Sequence, residues 1–285
     1  MAIFTLAVGV TLRLANPFGA EARGKATQTF YGVPHAMGAG NARSYITLSG
    51  NVPVEVGVEL SENALTALPS GETGHHHEMS GAHVDMTEYL LDLPEQAKVT
   101  PFKFLELDWN PHGHDPSGIY DRPHFDFHFY TITLSERDAI DPTDPDYMRK
   151  AQHLPDPKLV PASFMTPPPI TPVPHMGLHW ISTQADELHG KPFTQTFVRG
   201  SWNGRMVFFE PMATRAFLES KPDIVLPIAD AKCFDPAGYY PTEYRIRYEP
   251  ATKGYRISLS EFAYRDCEVP GTSIARAEQP GVTRK

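Results

Sequence analysis

HFDFHFY, residues 124–130, sets three phenylalanines between His124, Asp126, His128 and Tyr130. Successive side chains of a β-strand point to opposite faces. In extended form this segment therefore has one aromatic face and one face carrying two imidazoles, a carboxylate and a phenol. A merely solvated face would be served as well by Lys, Thr or Glu, so two histidines around an aspartate point to metal or catalytic use. The plainer alternative is a buried polar network in which Asp126 orients a histidine. Strand neighbours at i and i+2 stand about 7 Å apart and can converge on one ion, whereas i and i+4 stand about 13 Å apart. His124 and His128 share an ion only if the strand bends or bulges; a flat strand pairs Asp126 with one of them and draws further ligands from elsewhere.

The same period of two recurs on both sides. It is read in residues 3–14 at the start, in 44–50 (SYITLSG), 51–60 (NVPVEVGVEL), 100–109 (TPFKFLELDW), 177–183 (GLHWIST), 193–202 (FTQTFVRGSW) and 204–212 (GRMVFFEPM), and in the closing pair 243–249 (EYRIRYE) and 254–260 (GYRISLS). Asn203-Gly204 supplies a hairpin turn, and the closing pair sets Tyr244, Ile246 and Tyr248 against Tyr255, Ile257 and Leu259. Helix signals are short: SENALTAL with Ser61 as N-cap, a start at Ser135 to Asp138, and ATRAFLES at 213–220. Between Asp141 and His175 there are 10 prolines in 35 residues, too many for a sheet interior or a helix, so this stretch is expected to be a long irregular excursion over a surface. The expected fold is mainly β, an antiparallel barrel or sandwich with a few short helices and this proline-rich loop. Residues 1–80 form an N-terminal β segment of the same fold, 81–220 the β core with the metal site, and 221–285 a C-terminal hairpin segment.

At 285 residues and 41% apolar, the chain can bury a real core. A net charge of −9 without a Lys/Arg cluster argues against nucleic acid as a partner, and no apolar run reaches the roughly 18 residues of a membrane helix. The apolar start lacks a basic leader region and a small-residue exit, so it reads as mature strand. A cytoplasmic location and export after leader removal both stay open. Cys233 and Cys267 are the two cysteines, enough for one bridge and for no cysteine zinc site.

Ligands beyond the central strand are sought among the other histidines and carboxylates. His179 stands beside Trp180 at the start of a strand, with His175 in the loop before it. Glu210 follows Val207, Phe208 and Phe209, where a carboxylate is costly to bury unless paired or bound to a cation. His112 and His114 lie just before the central motif, and His114 is the weaker ligand candidate. His75, His76 and His77 sit in a polar stretch read as surface loop, and three consecutive side chains cannot all face one site. Gly-rich phosphate loops, G-x-S-x-G elbows and H-E-x-x-H helices are absent.

Taken together, WNPHGHDP, YDRPHFDFHFY, MGLHW and FVRGSWNGRMVFFEPMATRAFL resemble an uncharacterised bacterial family, mainly β and associated with metal binding, over roughly residues 85–220. The resemblance implies a metal or catalytic cluster at His124, Asp126 and His128 with His179 and Glu210 as companions. The resulting expectation is a mononuclear His/carboxylate site holding zinc, or else iron or manganese, in a hydrolase of a small-molecule substrate. Asp126 or Glu210 would be the general base, and Tyr130 and Trp180 would line the pocket. Alternatives are a non-heme Fe(II) oxygenase using His124, Asp126 and His179, and a non-catalytic metal-binding or assembly protein, which leaves homo-oligomers open.

Overall fold

The computed structural model describes residues 26–70, 76–79 and 82–267, with the side chains of 76–79 and 82–85 left aside. The strand expected at 3–14 lies outside the described residues. The chain runs through β1 (Thr27–Tyr31), β2 (His35–Met37), β3 (Gly40–Ser49) and β4 (Val52–Ser61), then β5 (His76–Met79) and β6 (Ala82–Asp85). It continues through β7 (Thr87–Asp92), β8 (Phe104–Asn110), β9 (His124–Tyr130), β10 (Phe164–Met165), β11 (Leu178–Ser182), β12 (Gln195–Trp202) and β13 (Arg205–Thr214). It closes with β14 (Asp223–Pro227), β15 (Gly238–Glu249) and β16 (Gly254–Arg265).

Two seven-stranded antiparallel sheets result. One has the order β1-β3-β4-β16-β15-β14 with β2 on β3; the other has the order β10-β11-β12-β13-β9-β8-β7. Neither order closes on itself, so the fold is a sandwich rather than a barrel. The first sheet draws strands from both ends of the chain, and the second is built wholly from the middle.

Hydrophobic alternation sets how the sheets meet. Phe125, Phe127 and Phe129 of β9, Leu105, Leu107 and Trp109 of β8, and Phe209 of β13 pack against Ile46, Val56, Val58, Ile257 and Leu259 of the first sheet. Burying each of these large side chains is worth about 1.5–3 kcal/mol. The closing hairpin has the expected register, Tyr244 opposite Leu259, Ile246 opposite Ile257 and Tyr248 opposite Tyr255. Its end is tied by the Cys233–Cys267 disulfide.

Some local expectations need correction. After β4 the chain makes a four-residue 3-10 turn, Glu62–Leu65, in which the Ser61 side chain makes no cap bond and instead accepts from the Asn41 backbone N–H at 3.0 Å. The helix α1 (Leu134–Asp138) begins one residue before Ser135, because Thr133 caps it in a box with Glu136. Residues 76–79, read as loop, pair with 82–85 as a two-stranded ribbon. The proline-rich excursion is mostly irregular, yet its proline-free run forms α2 (Tyr147–Gln152), and Phe164–Met165 adds β10 at the sheet edge. A third helix, α3 (Arg215–Glu219), is capped by Thr214.

This excursion positions the site. Every residue of β8 and β9 is buried, on both faces. The face of the second sheet turned away from the core is covered by Tyr147, Val173 and Met176, which pack on Phe104, Tyr130 and Phe208. The polar side of HFDFHFY is therefore an interior surface. Among the described residues, no helix is long and apolar enough to cross a membrane.

Candidate metal centre

Pairing brings seven acidic or imidazole side chains onto one face. β9 pairs with β8 so that His124 lies opposite Asn110, Asp126 opposite Asp108 and His128 opposite Glu106. On its other side β13 contributes Met212 opposite Asp126 and Phe208 opposite Tyr130, with Glu210 between them in sequence. β11 adds His179, opposite Gly200 of β12. Gly200 is required there. A Cβ would lie 2.0 Å from the Phe208 ring, and that ring wedges between His128 and His179, with centroids 4.8 and 5.4 Å away.

The candidate ligands separate into groups instead of converging on one point. In the first, His124 Nε2 lies 3.1 Å from Asp126 Oδ1, and His114 Nε2 lies 3.3 Å from Asp126 Oδ2. Both rings are held from behind: His114 Nδ1 donates to the Asp115 carbonyl and His124 Nδ1 to the Arg122 carbonyl, each at 2.6 Å. Each Nε2 is thus the free end of its imidazole, turned to the carboxylate. Asn110 Nδ2 donates to Asp126 Oδ2 at 2.8 Å and fixes the carboxylate plane. His124 Nε2 and Asp126 Oδ1 are buried without a hydrogen-bond partner.

In the second group, Glu210 lies 3.4 Å from His128 Nε2 and 3.7 Å from His179 Nε2, while Asp108 Oδ2 lies 3.3 Å from His128 Nδ1. In a third, Glu106, Asp108 and His128 come together, but the Arg137 guanidinium already stands 2.7 Å from Glu106. Within each group the ligand atoms lie within 4.8 Å of one another, the spread an ion can bridge. His124 and His128 fall in different groups, as an unbent strand requires.

Charges follow burial and neighbours. Burial opposes ionisation of Asp126, but His124 and His114 beside it hold its carboxyl well below the usual range. Burial likewise opposes charge on His114, and Asp126 overrides it and raises the pKa. Burial pushes Glu210 and Asp108 well above the ordinary carboxylate value, and neighbouring carboxylates add to it. Glu106 is pushed up to about 8 by burial and by Asp108. His179 is pushed down to about 3 by burial and by His128 and His114. Several carboxyls thus face one another inside the protein with too few cations near them to hold all of them ionised.

The site opens on a cavity of about 470 Å³, whose polar floor is Asn110, His114, Asp126, His179 and Glu210. Its walls are Met86, Tyr120, Ile181, Val198 and Met212, with Pro167 to Pro169 and Val173 of the excursion closing over them. Side-chain exposures of 22% for His114 and 27% for His179, against 0% and 1% for His124 and His128, show which imidazoles face it. Tyr130 and Trp180, expected to line it, do not: the Tyr130 hydroxyl donates to the His175 carbonyl at 3.3 Å, and Trp180 Nε1 donates to Ser201 Oγ at 2.7 Å. His112 is exposed, and the side chains of His75 to His77 lie outside the described residues. Glu106, Asp108 and Asn110 are the site residues that sequence reasoning passed over. Their signal was present, since FLELDWN alternates as HFDFHFY does.

The family model described as TTHB210-like, hypothetical protein TTHB210, matches residues 50–109. The matched segment includes Glu106 and Asp108 and ends at Trp109, the first residue of the WNPHGHDP motif. It is consistent with an uncharacterised family and shares only 85–109 with the stretch that carries the motif resemblance. No curated protein matches the chain, and no solved structure does.

Proposed function

We propose that the protein is a metal-dependent hydrolase whose ion is held by His114, His124 and Asp126. The observation that carries this reading is the convergence of two Nε2 atoms, each ring anchored through Nδ1, on a buried carboxylate. Zinc bonds of about 2.0–2.1 Å in a tetrahedron imply ligand-to-ligand edges of about 3.3 Å; His124 Nε2 stands 3.1 Å from one Asp126 oxygen and His114 Nε2 3.3 Å from the other, and the ligand atoms of the group lie within 4.8 Å of one another. The backbone carbonyls of Asp115 and Arg122 and the Asn110 amide act as the supporting shell that sets ring and carboxylate orientation.

An ion there would supply a water acidified toward neutral pH and an electrophile for a carbonyl oxygen. The chain's part is to present that position to the cavity past His114 and to hold the apolar part of a substrate against Met212, Ile181, Val198 and the prolines. Among the described residues lining the cavity there is no lysine or arginine, which favours an uncharged substrate over an anionic one. The Cys233–Cys267 disulfide favours an oxidising compartment. A second reading, a non-heme iron oxygenase, is favoured by the donor set itself, two histidines and one carboxylate with room beside them.

A panel of neutral esters, lactones and amides offered to zinc-loaded protein tests the proposal. Turnover should fall about 100-fold or more on chelation and in His124→Ala. Turnover that survives chelation refutes the metal reading. Oxygen consumption by the Fe(II)-loaded protein moves the assignment to the oxygenase.

A further inference from the structure

We propose that a second divalent ion binds in the same protein, held by His128, His179 and Glu210. The proposal builds on the reading of His114, His124 and Asp126 as the first ion site but uses none of those residues. Glu210 presents one oxygen 3.4 Å from His128 Nε2 and the other 3.7 Å from His179 Nε2. The far nitrogen of His128 faces Asp108 Oδ2 at 3.3 Å without a hydrogen bond between them, so a carboxylate stands behind the ring on the side away from Glu210.

An independent observation points the same way. His128 Nε2 and Glu210 Oε2 lie in side chains almost wholly removed from solvent, and neither has a hydrogen-bond partner. Buried polar atoms are paired in the great majority of folded proteins. Two orphaned atoms aimed at one point, with a third donor beside them, are accounted for by a cation between them. Arg137 cannot be that cation, because its guanidinium is engaged by Glu106 at 2.7 Å and by Glu88 at 2.8 Å.

Asp126 and His128 are neighbours on one face of β9, about 7 Å apart along the strand. The two ions therefore have separate ligand sets and are not clamped about 3.5–4 Å apart as in bridged two-metal centres. Both groups reach the same cavity, the first through His114 and Asp126, the second through His179 and Glu210. The second site suits a divalent transition ion that accepts two imidazoles and a carboxylate, with its remaining positions toward the cavity.

The test is the metal content of protein loaded with Zn(II), desalted and measured per folded chain, for the wild type, His124→Ala, His179→Ala and the double variant. We expect two, one, one and none, with circular dichroism confirming that each variant folds. His179 stands at the cavity edge, so its truncation spares the core, and Glu210→Gln serves as the second variant at the same site. A wild type holding one ion that His124→Ala removes and His179→Ala leaves untouched overturns this inference while sparing the proposed function. One ion that behaves in the opposite way supports the second site and removes the first. Two ions that persist in the double variant overturn both sites.

Discussion

Stripped of ions, the protein should lose stability as the pH rises from about 6.5 to 8. Glu106, with its pKa pushed up to about 8, is protonated in the fold at the start of that interval and ionised in the unfolded chain throughout. A carboxyl raised in the folded state favours folding at low pH and loses that advantage as pH climbs through its folded value. Glu106 alone then contributes about 2 kcal/mol of loss over the window, at 1.36 kcal/mol per unit. Asp108 and Glu210 are shifted the same way. His114, also raised, adds to the loss as its proton leaves. Asp126 stays ionised in both states and is silent here, whereas His179, depressed to about 3 in the fold, is about half protonated in the unfolded chain at pH 6.5 and offsets about 0.4 kcal/mol of the loss as that proton leaves. For a chain of this size the melting temperature should fall by about 5 °C or more between the two pH values. Added Zn(II) should reverse the trend, since ligands that must be deprotonated bind more tightly as pH rises. At 100 times its Kd an ion adds about 2.7 kcal/mol. Thermal melts with chelator and with zinc at both pH values measure this directly.

Glu210→Gln should change sign with metal. In the stripped protein at pH 8 it removes a carboxylate that burial disfavours, keeps the volume, and should stabilise by about 1–2 kcal/mol. In zinc-loaded protein it deletes the acidic ligand shared by His128 and His179 and should forfeit most of the stabilisation that site provides. A structural ion pair behaves otherwise, because truncating one partner of such a pair destabilises under all conditions, by about 3–5 kcal/mol when buried. Melting curves of the variant with and without zinc separate the two cases.

Much of this architecture was legible because apolar alternation has a period that only a strand satisfies. HFDFHFY gave its own two faces, and the register of the closing hairpin followed from its tyrosines and isoleucines. Strands without that alternation were not legible. β7, TEYLLD, sets Leu90 beside Leu91, and β14, DIVLP, is a short edge strand alternating only between exposed and half-buried positions.

Most of the candidate site residues were visible as residue types, but their grouping was not. Glu106 and Asp108 alternate with leucines, which fits a solvated face equally well until the proline-rich excursion is seen to cover it. His114 reaches Asp126 only because the 111–123 loop folds back over β9, where the His114 backbone N–H donates to the Tyr120 carbonyl at 3.2 Å. Whether His124 and His128 can converge on one point depends on whether β9 is bulged. Its unbroken pairing with β8 from Phe104–Tyr130 to Asn110–His124 keeps them about four strand positions apart, which single-chain pattern does not fix.

The proposed function requires a divalent ion between His114, His124 and Asp126. Anomalous scattering at the zinc edge from crystals of zinc-loaded protein tests it most directly. A peak about 2.0–2.2 Å from His114 Nε2, His124 Nε2 and an Asp126 oxygen is expected, absent in His124→Ala crystals treated identically. Density showing those three side chains bonded only to one another or to water, with zinc elsewhere on the protein, would contradict it.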